Sequence, residues 1–180
     1  MLFSIYHMIV STIAGILGGA LLLRFWMQVV RVRPPFAIAQ FVFRATDWLV
    51  RPLRKVVPGT GGFDWASLLG ALLIAALGAA AAYWMMPFFS PRLVLMMTLL
   101  HLVSWIVYGF MGLLILEVIF SWVNPNAPLA PFVQALNQPL LRPIRRIIPT
   151  LGGLDLSVLV AFLLLQILLQ LLNAGFAYLA

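Results

Sequence analysis

The chain has 180 residues, of which 64% are apolar and only 8% charged, whereas a soluble domain carries about a quarter charged residues. A water-soluble globule of this size cannot hide so much apolar surface, so the composition excludes a soluble protein and indicates a membrane protein. There is no cysteine, which excludes disulfides, thiolate catalysis and cysteine-based metal sites, and the net charge of +7 points to anionic lipid headgroups before nucleic acid.

A helix that crosses the hydrocarbon core needs about 20 mostly apolar residues. Four stretches qualify: 3–23, 65–86, 93–120 and 156–178. The first has no Lys or Arg before its apolar run and arginines after it. That is the pattern of a retained helix inserted N-terminus outward, not of a secretory signal peptide. Ser11, Gly15 and Gly19 recur along it at four-residue spacing, a stripe of small residues that lets a second backbone approach.

The connection that follows is not a plain loop. Gln40, Arg44, Asp47, Arg51 and Arg54 recur at spacings of four, three, four and three, with Phe41, Val42, Phe43, Trp48, Leu49 and Leu53 between them. This helical period over 36–57 combines a narrow polar stripe with a broad apolar face. Such a helix suits the membrane interface, stripe toward water. Pro52 lacks a backbone donor and predicts a break or kink, one segment ending at Arg51 and the next starting at Pro52. The connection closes with RPLRKVVPGTGGFD, 51–64. Its Arg51, Arg54 and Lys55 are candidates for binding lipid or a partner, each basic residue contributing about 1 kcal/mol toward an anionic leaflet. Pro58 stops the helix, and Gly61 and Gly62 supply a turn back into the bilayer. Asp64 is placed to cap the next span, its carboxylate accepting from free backbone N–H groups.

The second span is rich in Ala, with Gly70 and Gly78, and the short connection 87–92 holds one basic residue, Arg92. The third span carries Gly109, Gly112 and the only acid within a span, Glu117. An ionisable group there needs a partner, and Arg24 lies at a similar depth, so the two are expected to form an intramembrane ion pair. Asn124–Pro131 holds three prolines and reads as a stiff turn. A second interfacial helix follows over 131–148, its stripe marked by Gln134, Gln138, Arg142 and Arg145, with Pro143 matching Pro52. The fourth span is mostly Leu and is expected to face lipid, with Gln166, Gln170 and Asn173 available to bond across helices. His7 and His101 are lone histidines without acidic neighbours and read as packing or interfacial residues.

The second copy of the closing phrase is RPIRRIIPTLGGLD, 142–155, with Arg142, Arg145, Arg146, Pro149, Gly152, Gly153 and the capping candidate Asp155. Seven of the fourteen positions are identical to 51–64 without a gap. At the same offset Phe41 meets Phe132, Val42 meets Val133, Leu49 meets Leu140 and Pro34 meets Pro125. The expected fold is an all-α membrane protein of four transmembrane helices in two tandem parallel repeats, 1–90 and 91–180. Each repeat has an amphipathic interfacial helix on the cytoplasmic side. Of the eleven Lys and Arg residues, seven fall in or beside the first connection and three in the third. Basic residues stay in the cytoplasm during insertion, so both termini are expected outside, in the periplasm of a bacterial cell whose inner membrane holds the protein. The phrase then has two readings: an anchor, turn and cap in each copy, or arginines and aspartates of both copies converging on one polar site.

No metal-binding HExxH, phosphate loop, nucleophile elbow or carboxylate cluster occurs, so neither catalysis nor a cofactor or metal is expected. The doubled phrase and what precedes it resemble the YggT (YlmG) family of small integral membrane proteins, as two modules spanning nearly the whole chain. The second copy carries the resemblance closely: Ser121-Trp122, Gln138-Pro139, Arg142-Pro143-Ile144-Arg145-Arg146, Pro149, Gly152-Gly153, Asp155 and Ser157. The first copy lacks the SW pair, has Thr46-Asp47-Trp48 where the family often has a proline, and ends in Asp64-Trp65-Ala66-Ser67. The resemblance implies no established enzymatic activity. It implies links to osmotic and potassium tolerance, to division and septum organisation and, in chloroplast relatives, to cytochrome haem assembly. The expected function is a non-enzymatic inner-membrane scaffold or assembly protein engaging anionic lipid headgroups and an unidentified membrane partner. Nucleic acid is not an expected partner, and homo-oligomerisation stays open. The alternative is a small channel or transporter subunit for ion or osmotic (potassium) balance.

Overall fold

The computed structural model describes residues 2–59, 61–84, 90–148 and 155–179. Among them are six helices and no strand: α1 Leu2–Val29, α2 Phe36–Val56, α3 Trp65–Tyr83, α4 Pro91–Val123, α5 Ala130–Arg145 and α6 Leu156–Leu179. α1, α3, α4 and α6 are long and apolar enough to cross a membrane. The chain is a multi-pass, all-α membrane protein.

Two spans outrun their apolar windows. α1 continues past residue 23 to Val29, and α4 extends 93–120 at both ends. Hydropathy marks where lipid contact ends, whereas a helix continues until a capping signal stops it. For α1 that signal is Arg31, with φ 58°. There the Val32 N–H donates to the Met27 carbonyl at 3.0 Å and the Arg31 N–H to the Gln28 carbonyl at 3.1 Å, the paired bonds of a Schellman cap. α4 starts at Ser90, whose hydroxyl oxygen accepts from the Leu93 N–H at 3.2 Å, with Pro91 in the first turn.

The expected break at Pro52 does not occur. α2 runs through Pro52, and α5 runs through Pro139 and Pro143. All three prolines are exposed, so each disturbs hydrogen bonding on an outward face. In α2 the adjoining Leu49, Val50 and Leu53 pack into the core and hold both sides of the proline in line.

Both repeats share one plan. α2 packs on α1 and α3, α5 packs on α4 and α6, and the spans pair α1 with α3 and α4 with α6. α4 also meets α1 and α3, which joins the repeats. Lipid tails are as apolar as leucine, so close fit rather than water exclusion decides which faces meet inside a bilayer. The alanines of α3 provide that fit: Ala71, Ala75 and Ala79 are fully covered. One core belongs to the first repeat (Leu21, Val50, Ala66, Ile74) and one to the second (Leu114, Leu141, Val158, Ala161). A third joins them through Met27, Val42, Phe132 and Leu136. Trp26 reinforces this third core, donating from Nε1 to the Leu136 carbonyl at 3.0 Å.

The small-residue stripe of α1 is rotated from its expected register. A Cβ on Gly18 would overlap the Trp105 ring, and Gly15 lies against the same ring, while Gly19 faces open space. Gly78 approaches Ala14, and Gly70 lies against Leu21, Leu49 and Leu53, both as packing positions. Gly109 and Gly112 contact nothing a Cβ would disturb. His7 packs edge-on to Tyr83, and His101 stacks on Trp105. α6 exposes Leu159, Leu163, Leu164, Ile167, Leu168 and Leu171, as its leucine content leads one to expect.

Candidate functional site

Each repeat gathers its charged side chains where the short helix meets the ends of two spans. In the first repeat Arg24 of α1 is buried, and its Nη1 donates to Thr46 Oγ1 at 2.8 Å and to Asp47 Oδ1 at 2.7 Å. Its Nε lies 3.5 Å from Asp64 Oδ2, and its guanidinium carbon sits 4.8 Å from the centre of the Phe43 ring. A buried guanidinium is tolerable only when paired, and two carboxylates pair this one. Arg51, one turn beyond Asp47 on α2, grips Asp47 Oδ2 through Nε at 3.0 Å and Nη2 at 2.8 Å. Arg54 forks onto Asp64, Nε to Oδ1 at 3.2 Å and Nη2 to Oδ2 at 2.5 Å, and Ser67 Oγ donates to Oδ2 at 2.7 Å.

Asp64 therefore holds the N-cap position of α3 without making the expected side-chain cap bond. Two guanidinium groups and a hydroxyl outcompete neutral backbone amides for its oxygens. Asp155 does make the cap bond: its Oδ1 accepts from the Ser157 N–H at 3.0 Å. Gly61 and Gly62 turn the chain at φ 67° and 82° as expected, and Gln28 Nε2 ties the turn to α1 through the Gly62 carbonyl. Their counterparts Gly152 and Gly153, with Pro149, lie outside the described residues.

The second repeat is built alike with one inversion. Glu117 of α4 is buried, its Oε2 accepting from Asn137 Nδ2 at 2.7 Å and its Oε1 from Arg145 Nη2 at 2.9 Å. Arg145 also donates from Nε to Asp155 Oδ2 at 2.8 Å. Asn137 matches Thr46 in the repeat, Arg145 matches Arg54, and Asp155 matches Asp64. Arg24 and Glu117 thus play the same part with opposite charge. They do not pair with each other; each is engaged inside its own repeat. Every ion pair described closes within one repeat, so the geometry is two separate clusters and not a shared one.

The CCB3/YggT family model matches the chain twice, over residues 3–85 and 96–176. The chain belongs to the CCB3/YggT family. It is 38% identical over 166 residues to the uncharacterized protein PA0392 of Pseudomonas aeruginosa, covering 89% of this chain and 84% of that one. It is 33% identical over 166 residues to the uncharacterized protein YggT of Escherichia coli K12, covering 89% and 85%. A Vibrio alginolyticus protein encoded in the proC 3′ region is 34% identical over 170 residues, covering 88% of each chain. No solved structure matches.

In this CCB3/YggT chain each matched stretch carries one charge cluster. All four carboxylates are taken up by four arginines, Arg24, Arg51, Arg54 and Arg145. The hydrogen bond from Arg24 leads in holding the Asp47 carboxyl below the usual carboxylate range. Burial pushes Asp64 and Asp155 up, but hydrogen bonds from Arg54 with Ser67, and from Arg145 with Ser157, outweigh it, and both end lower than usual. The clusters therefore tie helices together through ion pairs. Lys55, Arg142 and Arg146 are exposed, without a side-chain partner among the described residues. Gln166, Gln170 and Asn173 do not bond across helices among the described residues and are exposed on α6.

A cleft of about 600 Å³ opens beside the first cluster. Arg24, Arg31, Arg33, Arg51 and Arg54 line it, with Asp47 and Asp64. Sequence reasoning did not single out Arg31 and Arg33 as site residues, nor Thr46, Ser67 and Asn137 as buried polar partners. A signal for Thr46 and Asn137 existed: both fall at the same place in the two copies, and both are polar.

Proposed function

We propose that the chain is a non-enzymatic scaffold or assembly protein of the bacterial inner membrane that engages anionic lipid headgroups and a membrane partner. One observation carries this: the four carboxylates are used up internally, so the surplus of +7 rests on the other seven Lys and Arg residues. Six of these lie in the two basic connections, where each contributes about 1 kcal/mol toward an anionic leaflet. α2 and α5 serve as the interfacial helices. On α2, exposed Phe41 and Trp48 lie near exposed Arg44 and Lys55, a mix that suits the headgroup boundary. The basic end is cytoplasmic and both termini are periplasmic. The complete pairing of the carboxylates supports a non-catalytic role, since no carboxylate is left to act as a general base. Osmotic tolerance, division and cofactor-protein assembly, implied by the family resemblance, are processes in which such a scaffold acts.

A homo-oligomer is part of the proposal. Gln166, Gln170 and Asn173 lie on one exposed face of α6, and amides both donate and accept, so a second α6 satisfies them. Crosslinking and pull-down from native membranes is the test. A partner retained by the wild type and lost from a Lys55, Arg142 and Arg146 triple Ala variant is expected. Potassium or anion flux through proteoliposomes of the pure protein, abolished by Glu117→Gln, would instead establish the channel alternative. Engagement of Glu117 by Arg145 and Asn137 weighs against that outcome.

A further inference from the structure

We infer that the cleft between the end of α1 and α2 is a phosphate-recognising site, formed in the first repeat and absent from the second. The phosphate is presented by an anionic phospholipid headgroup or by a soluble phosphate. This rests on the lipid-engaging function proposed above and narrows it to one place.

Charge comes first. The cleft holds five arginines against two aspartates. Asp47 and Asp64 are both occupied by Arg24, Arg51 and Arg54. Neither carboxylate is left to neutralise Arg31 and Arg33, which are exposed and have no side-chain partner among the described residues. Guanidinium forks match phosphate oxygens in pairs. The volume, about 600 Å³, falls within the usual range for small-molecule sites.

The backbone gives a second reason. Arg31 occupies the left-handed position of the α1 cap, where glycine is the unstrained choice. The helix dipole favours a cation near this end, but a cation on either side of the cap would serve it without a positive φ. What glycine cannot supply is a guanidinium over the cleft. Arg33 is held by Pro34 and Pro35, which restrict the chain to an extended course and fix where its side chain starts. A stiff backbone lowers the part of the ordering cost that does not come from the two side chains.

The second repeat lacks these parts. Its corresponding connection, Asn124–Leu129, contains no basic residue. Its cluster sets one arginine, Arg145, between two carboxylates.

The test is native mass spectrometry of the full chain in detergent, titrated with phosphatidylglycerol or phosphatidylcholine, with and without inorganic phosphate. Arg31→Gly with Arg33→Ala is expected to weaken phosphatidylglycerol retention by about 25-fold, near fivefold per arginine. Phosphatidylcholine presents the same phosphate beside a cationic choline, so its retention should fall less. Arg31→Gly alone should keep or raise the melting temperature, which shows that the loss is not misfolding. Arg31→Lys with Arg33→Lys keeps the charge but not the fork, and retention should still fall. Competition by millimolar inorganic phosphate assigns the site to phosphate from either source; binding without competition assigns it to the headgroup. Unchanged retention in the double Lys variant overturns a phosphate fork in favour of plain charge. Arg142→Ala with Arg146→Ala is the control. Loss there equal to that of the cleft variant overturns the site while leaving general lipid engagement intact. Full retention in every variant overturns both.

Discussion

Arg24 and Glu117 show how the two repeats can centre their clusters on opposite charges. Both are buried at the foot of a repeat's first span, and each meets the polar residue that its repeat supplies from the short helix, Thr46 or Asn137. What differs is the number of groups that lose a partner on removal. Arg24→Ala takes one partner from each of Asp47 and Asp64, which keep Arg51 and Arg54, and should destabilise the protein by about 2–3 kcal/mol through the lost charge-assisted bonds. Glu117→Gln still accepts a hydrogen bond and leaves Arg145 with Asp155, so it should cost about 1 kcal/mol. Tryptophan-fluorescence melting in detergent would rank the two, and equal costs would show that the clusters are not built as described. The aspartates set the pH dependence. Asp47, Asp64 and Asp155 titrate below their ordinary value of about 3.9. Their contribution is therefore complete above that value and is lost as pH falls through the lower folded-state values. Melting temperature should be flat from about pH 5 to 8 with respect to these groups and should drop below about pH 4. Asp64→Asn with Asp155→Asn should start lower and show a shallower acid limb.

Among the helices, register decides which small residue matters. The i, i+4 spacing of Ser11, Gly15 and Gly19 is plain in the sequence, but α1 turns Gly15 and Gly18 to Trp105 and leaves Gly19 open. Gly18→Ala should force the Trp105 ring to move and cost about 1–3 kcal/mol. Gly19→Ala should change stability by less than about 0.5 kcal/mol. The same melting assay separates them, and a reversed order would place the α1–α4 contact on the other face. Proline teaches a similar lesson in α2 and α5. Its local cost was readable, yet packing on either side of Pro52 holds the helix together.

At the level of the assembled chain, the two repeats are joined by a core that neither contains alone, with Met27 and Val42 from one and Phe132 and Leu136 from the other. The outer face of α6 is not used in this joining, and its three amides lie exposed among leucines. If they form the seam of a homo-oligomer, the protein should run as a crosslinked dimer or larger species in native membranes. Gln166→Leu, Gln170→Leu and Asn173→Leu together should then reduce it to monomer without unfolding it. An unchanged crosslinking pattern would remove α6 from the interface.

Membrane residence, four spans, the duplication and the basic ends of the repeats were all legible along the chain. Each depends on composition within a short window, where contributions add independently of what lies opposite. The glycine turn at Gly61 and Gly62 and the cap at Asp155 were legible for the same reason, being made of neighbours in sequence. The partner of a given charge was not. Arg24 and Glu117 share a depth, which made them look like partners, but depth says nothing of which helix stands alongside or how it is rotated. Folding set Asp47 and Asp64 beside Arg24, set Arg145 and Asn137 beside Glu117, and left Arg31 and Arg33 without a carboxylate. Those pairings arise where three helices meet at ångström distances, and no single helix carries that information.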